Sequence, residues 1–515
     1  MADIRPIRRM PTELQRLRAH AQQLMSNHRH ELAEDVLRRI LAIVPNDAGV
    51  HRQLASCLMR LRRTSEALDQ AKGAVALDPL AAANLSVLAA IHMELGQLDD
   101  AIAGFERALQ SKADYVPAIH GLSAALAGQA KWEPALTWTE TGLAIKPDHA
   151  GMLRVRAESL AALNRNEEAT ATIQLFLRLE PDSDLSHAAA SRILKRIGQT
   201  AEAADFARRA LGISPADPNL HNSLAQLNLK ERRYDDADRH FKHATEIYES
   251  RRDGQKGSKQ IEIRSLLGQA AVNLRRRNFQ SAEAQYRRIL EIEPDHQLAP
   301  SLLAGSIGVQ YRFGEALPMA EAAVQKAPKL LIPRLIFASL LEEMERNDEA
   351  IVQAQEALAL HPDSEESHRI LGWVYLDLED YRAAFEEAEK ALANRPTPET
   401  QRLFATTLAA LGRREEAIAA IEAALREEPD LYSCHETAGY AFYLLKDYTR
   451  AESHYLRAME LDPSGLGCHG RLGLLYFDQR RIAEARSLLE KSNSLNPHSR
   501  RVRAALAAIA AQSSR

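Results

Sequence analysis

Residues 77–109 read LDPLAAANLSVLAAIHMELGQLDDAIAGFERAL, with apolar residues at helical spacing on both sides of a break that contains Gly96. A 3.6-residue apolar period interrupted by a glycine predicts a helix, a tight turn and a second helix. The pattern recurs along the chain. Steps of 34 residues from Ala33 lead to Ala67, Ala101, Ala135, Ala169, Ala203 and Ala237; after one interruption the series resumes at Ala282, Ala316, Ala350, Ala384, Ala417, Ala451 and Ala485. Within each run only the step from Ala384 to Ala417 differs, at 33. Twelve residues before each alanine stands another small residue, from Ala21 and Ala55 to Gly439 and Gly473. Two small sites per unit let two helices cross closely.

A proline follows the alanine by twelve residues in most units, from Pro45 to Pro497 and including Pro463, with Ala113 and Glu249 as the exceptions. Proline cannot continue a helix and restricts the residue before it, so each marks the turn to the next unit. The segment SRRDGQKGSKQIE has two glycines, four basic residues and no apolar period. These signals divide the chain into an N-terminal arm (1–13), repeats at 14–251, a linker or hinge at 252–262 and repeats at 263–499. The closing RRVRAALAAIAAQSSR (500–515) predicts a capping helix over the last repeat. No part of the chain is then expected to hold a separate catalytic domain.

The 34-residue period, the small residues at the crossing, the aromatics near the turn (Tyr234, Phe279, Tyr381, Tyr448) and the terminal proline resemble the tetratricopeptide repeat family over residues 14–499. The resemblance implies about fourteen tandem repeats in an all-α solenoid of antiparallel helix pairs, wound as a right-handed superhelix. The chain departs from the family at the fourth residue of the unit, where His51, His187, His221, His368, His435 and His469 stand in place of Trp or Leu. A half-polar ring there is expected to pack against the paired helix and hydrogen-bond one nitrogen. The rival is a set of imidazoles that protonate together and loosen the array.

Composition narrows the class. The formal net charge is −4 with 26% charged residues, which gives no global attraction to nucleic acid or anionic membrane. No stretch approaches the ~20 apolar residues that span a bilayer, so no direct membrane insertion is expected. Three cysteines supply no disulfide framework, and MADIRPIRRMPTEL has no apolar run after its basic residues, so a cytoplasmic location is expected.

Motifs for chemistry are scarce. Gly465, Gly467 and Gly470 spell G-x-G-x-x-G, but they open a predicted helix after a proline with no strand before them. Cys434-His435 and Cys468-His469 form a zinc-compatible set, yet equivalent positions on stacked helices are about 10 Å apart, wide for four-fold coordination. There is no G-x-S-x-G, H-E-x-x-H, GK[ST] or C-x-x-C. A non-enzyme without cofactor or metal is the expectation.

By the same resemblance, residues two, five, nine, twelve and thirteen of each unit line an inner groove. In the last four repeats these include Arg369, Trp373, Leu376, Arg402, Tyr440, Tyr443, Leu474 and Phe477, a ligand groove rich in the aromatic and Arg side chains that anchor interfaces. The rings' alternative is to pack between neighbouring helices. The groove lacks the Lys-and-Asn pair that the family uses to clamp C-terminal carboxylates. The function expected is a protein–protein interaction scaffold that binds a peptide or partner protein. Its rivals are an adaptor that recruits substrates to a separately encoded transferase, and a homo-oligomer whose groove takes the end helix of another copy.

Overall fold

The computed structural model describes residues 13–250, 258–427, 429–462 and 467–513. Among them the regular structure is helical throughout, in 29 helices from Glu13–Ser26 to Arg500–Ser513. The chain divides into two compact units, residues 1–250 and 251–515. Each unit is a stack of helix pairs joined by short turns, and the second ends in the single helix Arg500–Ser513. Among these helices none is long and apolar enough to cross a membrane.

Every pair closes with the same turn. The residue five positions before each repeat alanine has a left-handed backbone: Gly96, Gly198 and Gly412 in three turns, and eleven non-glycines, with φ from 53° at Glu345 to 62° at Arg62, in the others. The next amide then reaches back to the carbonyl five residues earlier, as from Arg63 to Leu58 and from Arg346 to Leu341, both at 2.9 Å. This closure satisfies the helix's last carbonyls. It costs a side-chain-bearing residue about 1 kcal/mol and glycine almost nothing.

The two small sites sit where the period puts them. All fourteen repeat alanines have 0% exposure, and a Cβ added to Gly439 would stand 2.6 Å from the Tyr455 ring. First helices of successive pairs also touch one another, as Leu331–Glu343 touches Glu365–Asp377, which places the first helices along the inside of each unit's curve.

The fourth-position histidines tie one repeat to the next. In five of them Nε2 faces the carbonyl of the proline six residues earlier, from 2.7 Å at His187 to 3.3 Å at His368. Arg334 does the same in its own repeat, donating to Pro328 at 3.1 Å. In four of them the other ring nitrogen meets the second helix, as His51 Nδ1 meets Gln70 Oε1 at 2.7 Å, whereas His187 Nδ1 has no hydrogen-bond partner among the described residues. His469 differs, with Nε2 2.8 Å from Lys491 Nζ.

Several expected boundaries fall at the edges of the described residues. Of the expected linker 252–262, residues 252–257 lie outside the described residues, and 258–262 belong to the 18-residue helix Ser258–Arg275. Glu262 and Ile263 are buried, Glu262 beside Arg288 at 3.7 Å and Ile263 in a cluster with Ala282, Tyr286 and Ile289 of the next helix. The expected arm 1–13 lies outside the described residues apart from Glu13, the first residue of a helix. Pro463 and Gly465 also lie outside them, as do the last two residues of the expected cap. The cap itself spans Arg500–Ser513 and buries Val502, Ala505 and Ile509 against the last repeat.

Candidate binding cavity

The second unit curls round a recess of about 1150 Å³. Its wall comes from the inner helices Ala299–Gly308, Leu331–Glu343, Glu365–Asp377, Tyr432–Leu444 and Gly467–Asp478, together with the start of Arg500–Ser513. Glycine makes room: Gly305 and Gly308 lie on one side, and on the other Gly467 allows Glu436 to pass where a Cβ would be 2.2 Å from its carboxylate.

Contacts between parts of the unit distant in sequence close the recess. Asn496 Nδ2 donates to the Glu343 carbonyl at 3.2 Å, the Arg500 amide donates to Glu345 Oε2 at 2.9 Å, and Arg501 pairs with Glu379 at 3.1 Å. Arg277 forms an ion pair with Asp462 and lies 4.8 Å over the Tyr432 ring. The capping helix thus seals the apolar end of the stack and also completes the cavity wall.

Five of the expected groove residues come together there: Arg369, Tyr440, Tyr443, Leu474 and Phe477. Tyr440 and Tyr443 stack with ring centroids 6.4 Å apart, Arg471 covers Tyr440 at 4.5 Å, and the Tyr443 hydroxyl donates to Asp478 Oδ2 at 2.5 Å. Three residues are placed elsewhere. Leu376 is 1% exposed and packs with Ala384, Ala388 and Leu403, because its helix turns this residue into the pair interface while Asp377, one position on, faces the recess. Trp373 is half-buried among neighbouring repeats, and Arg402 points to Cys434 Sγ at 3.5 Å. The helix that carries Arg402, Pro398–Ala410, adds nothing to the wall among the described residues.

The charges went unnoticed in the sequence. Eight acidic residues line the recess against four arginines, Arg277, Arg369, Arg471 and Arg501. Glu436 lies 3.7 Å from Arg471. Among the described residues Glu342, Glu343 and Asp377 make no ion pair within 4 Å. Burial, together with Glu436 and Asp377, pushes the Glu343 carboxyl up to about 7 despite the opposing Arg471. Burial likewise raises Glu342, which also feels Glu343 and Asp377, and raises Asp377 against the pull of Arg471 and Arg501. Glu343 faces water, but that water sits in a recess surrounded by protein and solvates charge poorly. Burial works against the Arg471 charge, yet Glu436 and the surrounding Tyr455, Tyr440 and Asp377 raise its pKa overall. The one signal available in the sequence was an acid at the thirteenth position in three repeats of the second unit, Glu343, Asp377 and Asp478, a position that Glu94 also fills in the first unit.

Tyr455 completes the wall from the second-helix layer. It is 0% exposed, and its hydroxyl has no hydrogen-bond partner among the described residues.

Comparison with known proteins agrees with this architecture. Tetratricopeptide repeat models match residues 18–82, 52–116 and 402–465, and a further one matches 443–509. The model for anaphase-promoting complex, cyclosome, subunit 3 matches residues 343–424. A TPR repeat-containing protein of Pseudomonas aeruginosa is 24% identical over 162 residues, 31% of this chain and 27% of that protein. Stress-induced-phosphoprotein 1 of Caenorhabditis elegans is 37% identical over 54 residues, 10% of this chain and 17% of that one. The chain therefore spans less than a third of the length of either relative. Among solved structures, a chain of the APC/C hetero-tetramer Cut9-Hcn1 aligns over 97% of this chain and 96% of its own length, with a TM-score of 0.57 at 14% identity, a likeness of fold. Repeat period, turn chemistry, stacked helix pairs and these matches together make the chain a tetratricopeptide repeat protein.

Proposed function

We propose that this protein is a non-catalytic scaffold whose second unit holds an extended segment of a partner protein in the recess. The observation that carries this reading is the recess itself: about 1150 Å³, walled by Tyr440, Tyr443, Leu474 and Phe477, with arginine on either side. A groove of that volume accepts several side chains of an extended chain but not a folded domain. Aromatic rings lose little freedom on contact and bury much area, so they supply affinity without reorganisation. The match of residues 343–424 to a model for a subunit of a multi-protein assembly agrees with a partner that is protein.

Site-specific photo-crosslinking tests the reading. A benzophenone amino acid at Phe477 should trap a partner in native cells, with the crosslink mapping to one short stretch of that partner. The same probe at Leu456, on the second helix of the preceding repeat and 43% exposed, should not. Equal capture from both positions would remove the recess as the binding site.

A further inference from the structure

We propose that the recess receives a Lys or Arg side chain carried by an extended segment of another protein, seated against Glu342, Glu343 and Asp377. This deepens the groove-binding reading and rests on it. Two features point to a cation, and a third to the peptide backbone that carries it.

The first is placement. Glu343, Asp377 and Asp478 are the last residues of their helices, where the free carbonyls and the macrodipole already carry negative charge. Acids there cost stability, whereas a cation would be favoured. Ala82–Glu94 in the first unit also ends on an acid, but in the second unit three inner helices break this local rule toward one recess, and breaks of that kind collect at functional sites.

The second is imbalance. Arg471 and Arg501 are already occupied by Glu436 and Glu379, and Arg277 by Asp462, while the charge of Arg369 is shared among Glu342, Glu366 and Glu399. Glu342, Glu343 and Asp377 are left facing one another with burial raising all three. A cation entering among them would meet charge that no described side chain neutralises within 4 Å, while an acidic segment would add to the repulsion.

The third is the buried Tyr455 hydroxyl. It lies in the wall with no partner. Protein interiors rarely leave such a group unmade, so it is suited to a backbone carbonyl or amide of the incoming segment. The aliphatic stem of Lys or Arg and its apolar neighbours would then pack on Tyr443, Leu474 and Phe477.

The test is a random peptide library displayed on phage and selected on the full chain. Selected peptides are synthesised and measured by fluorescence anisotropy against the wild type, the double variant Glu343→Gln/Asp377→Asn, and Phe477→Ala. The amide substitutions mimic the protonated acids and relieve repulsion, so this variant should fold; circular dichroism checks it. The expected peptides share a Lys or Arg at one position and lose at least about tenfold in affinity to the double variant. They should also release protons on binding near pH 7, because a cation beside Glu343 lowers the carboxyl pKa from its raised value. Peptides that need Phe477 but lack a cation, or that bind the amide variant equally well, overturn this inference and leave the groove reading intact. A selection that yields no peptide sensitive to either variant sinks both.

Discussion

Replacing Tyr455 by Phe should stabilise the free protein. The ring fills space beside Gly439, where an added Cβ would lie 2.6 Å from it, so its carbon skeleton is needed. The hydroxyl is buried with 0% residue exposure and no described partner. A buried polar group that loses water without gaining a bond costs about 1–3 kcal/mol, and Phe removes that cost while keeping the shape. For the unit of residues 251–515, an unfolding entropy of about 2.1 cal/mol/K per residue gives about 0.55 kcal/mol/K, so the midpoint should rise by roughly 2–5 °C. Thermal unfolding followed by helical circular dichroism reads this directly, with Tyr455→Ala as the counter-case expected to lose about 3–5 kcal/mol through the cavity left behind. A midpoint that falls for Tyr455→Phe would mean that the hydroxyl is satisfied in the free protein, and the case for its role in ligand contact would fail. A gain in stability accompanied by a loss of peptide affinity is the combination that a group held ready for a ligand should give.

Three further outcomes follow from the repeat itself. Arg232 has φ 61° in its closing turn, so Arg232→Gly should raise stability by up to about 1 kcal/mol, while Gly96→Ala at φ 76° should lower it by a similar amount; urea midpoints that move the other way would refute the turn argument. Ala350→Leu or Ala384→Leu should cost on the order of 1–3 kcal/mol, since both sites are fully buried at a helix crossing, and an unchanged melting temperature in both would contradict the packing. His240 is held down at about 4, first by burial and then by His221, His243 and Arg239 with Asp236 opposing, so it stays neutral when folded. The unfolded residue, with a pKa near 6.5, binds protons first as pH falls, so stability should drop between about pH 6.5 and 4. His240→Gln should flatten that part of the urea-midpoint profile; identical slopes would show that His240 does not couple folding to pH.

The architecture was readable from the sequence because every repeat solves the same local problem. Alanine at the crossing, a small partner twelve residues earlier and a proline at the end act within about 34 residues, and neighbours bury their faces against one another by simple succession. The left-handed turn was half visible. Gly96, Gly198 and Gly412 announce it, while residues such as Arg62 and Glu379 occupy the same conformation with nothing in their chemistry to reveal it, because the closing hydrogen bond holds them there. The fourth-position histidines were legible as packed rings, but their common bond to the preceding proline carbonyl depends on the geometry of the inter-repeat turn.

The recess belongs to the tertiary structure alone. Of the residues expected in a groove, Arg369, Tyr440 and Phe477 stand in the recess wall and Leu376 does not, since a one-residue rotation of a helix decides whether position twelve or thirteen faces inward. Position along the repeat also cannot say which repeats face each other across a curve. Asn496 meets Glu343, and Arg501 meets Glu379, over separations of 153 and 122 residues, far beyond any periodic signal. Those contacts close the recess round Glu342, Glu343 and Asp377 and bring three acids of separate or adjacent turns to one concave wall. Local pattern sets each helix pair; only the summed rotation of the pairs determines what the inside of the coil contains.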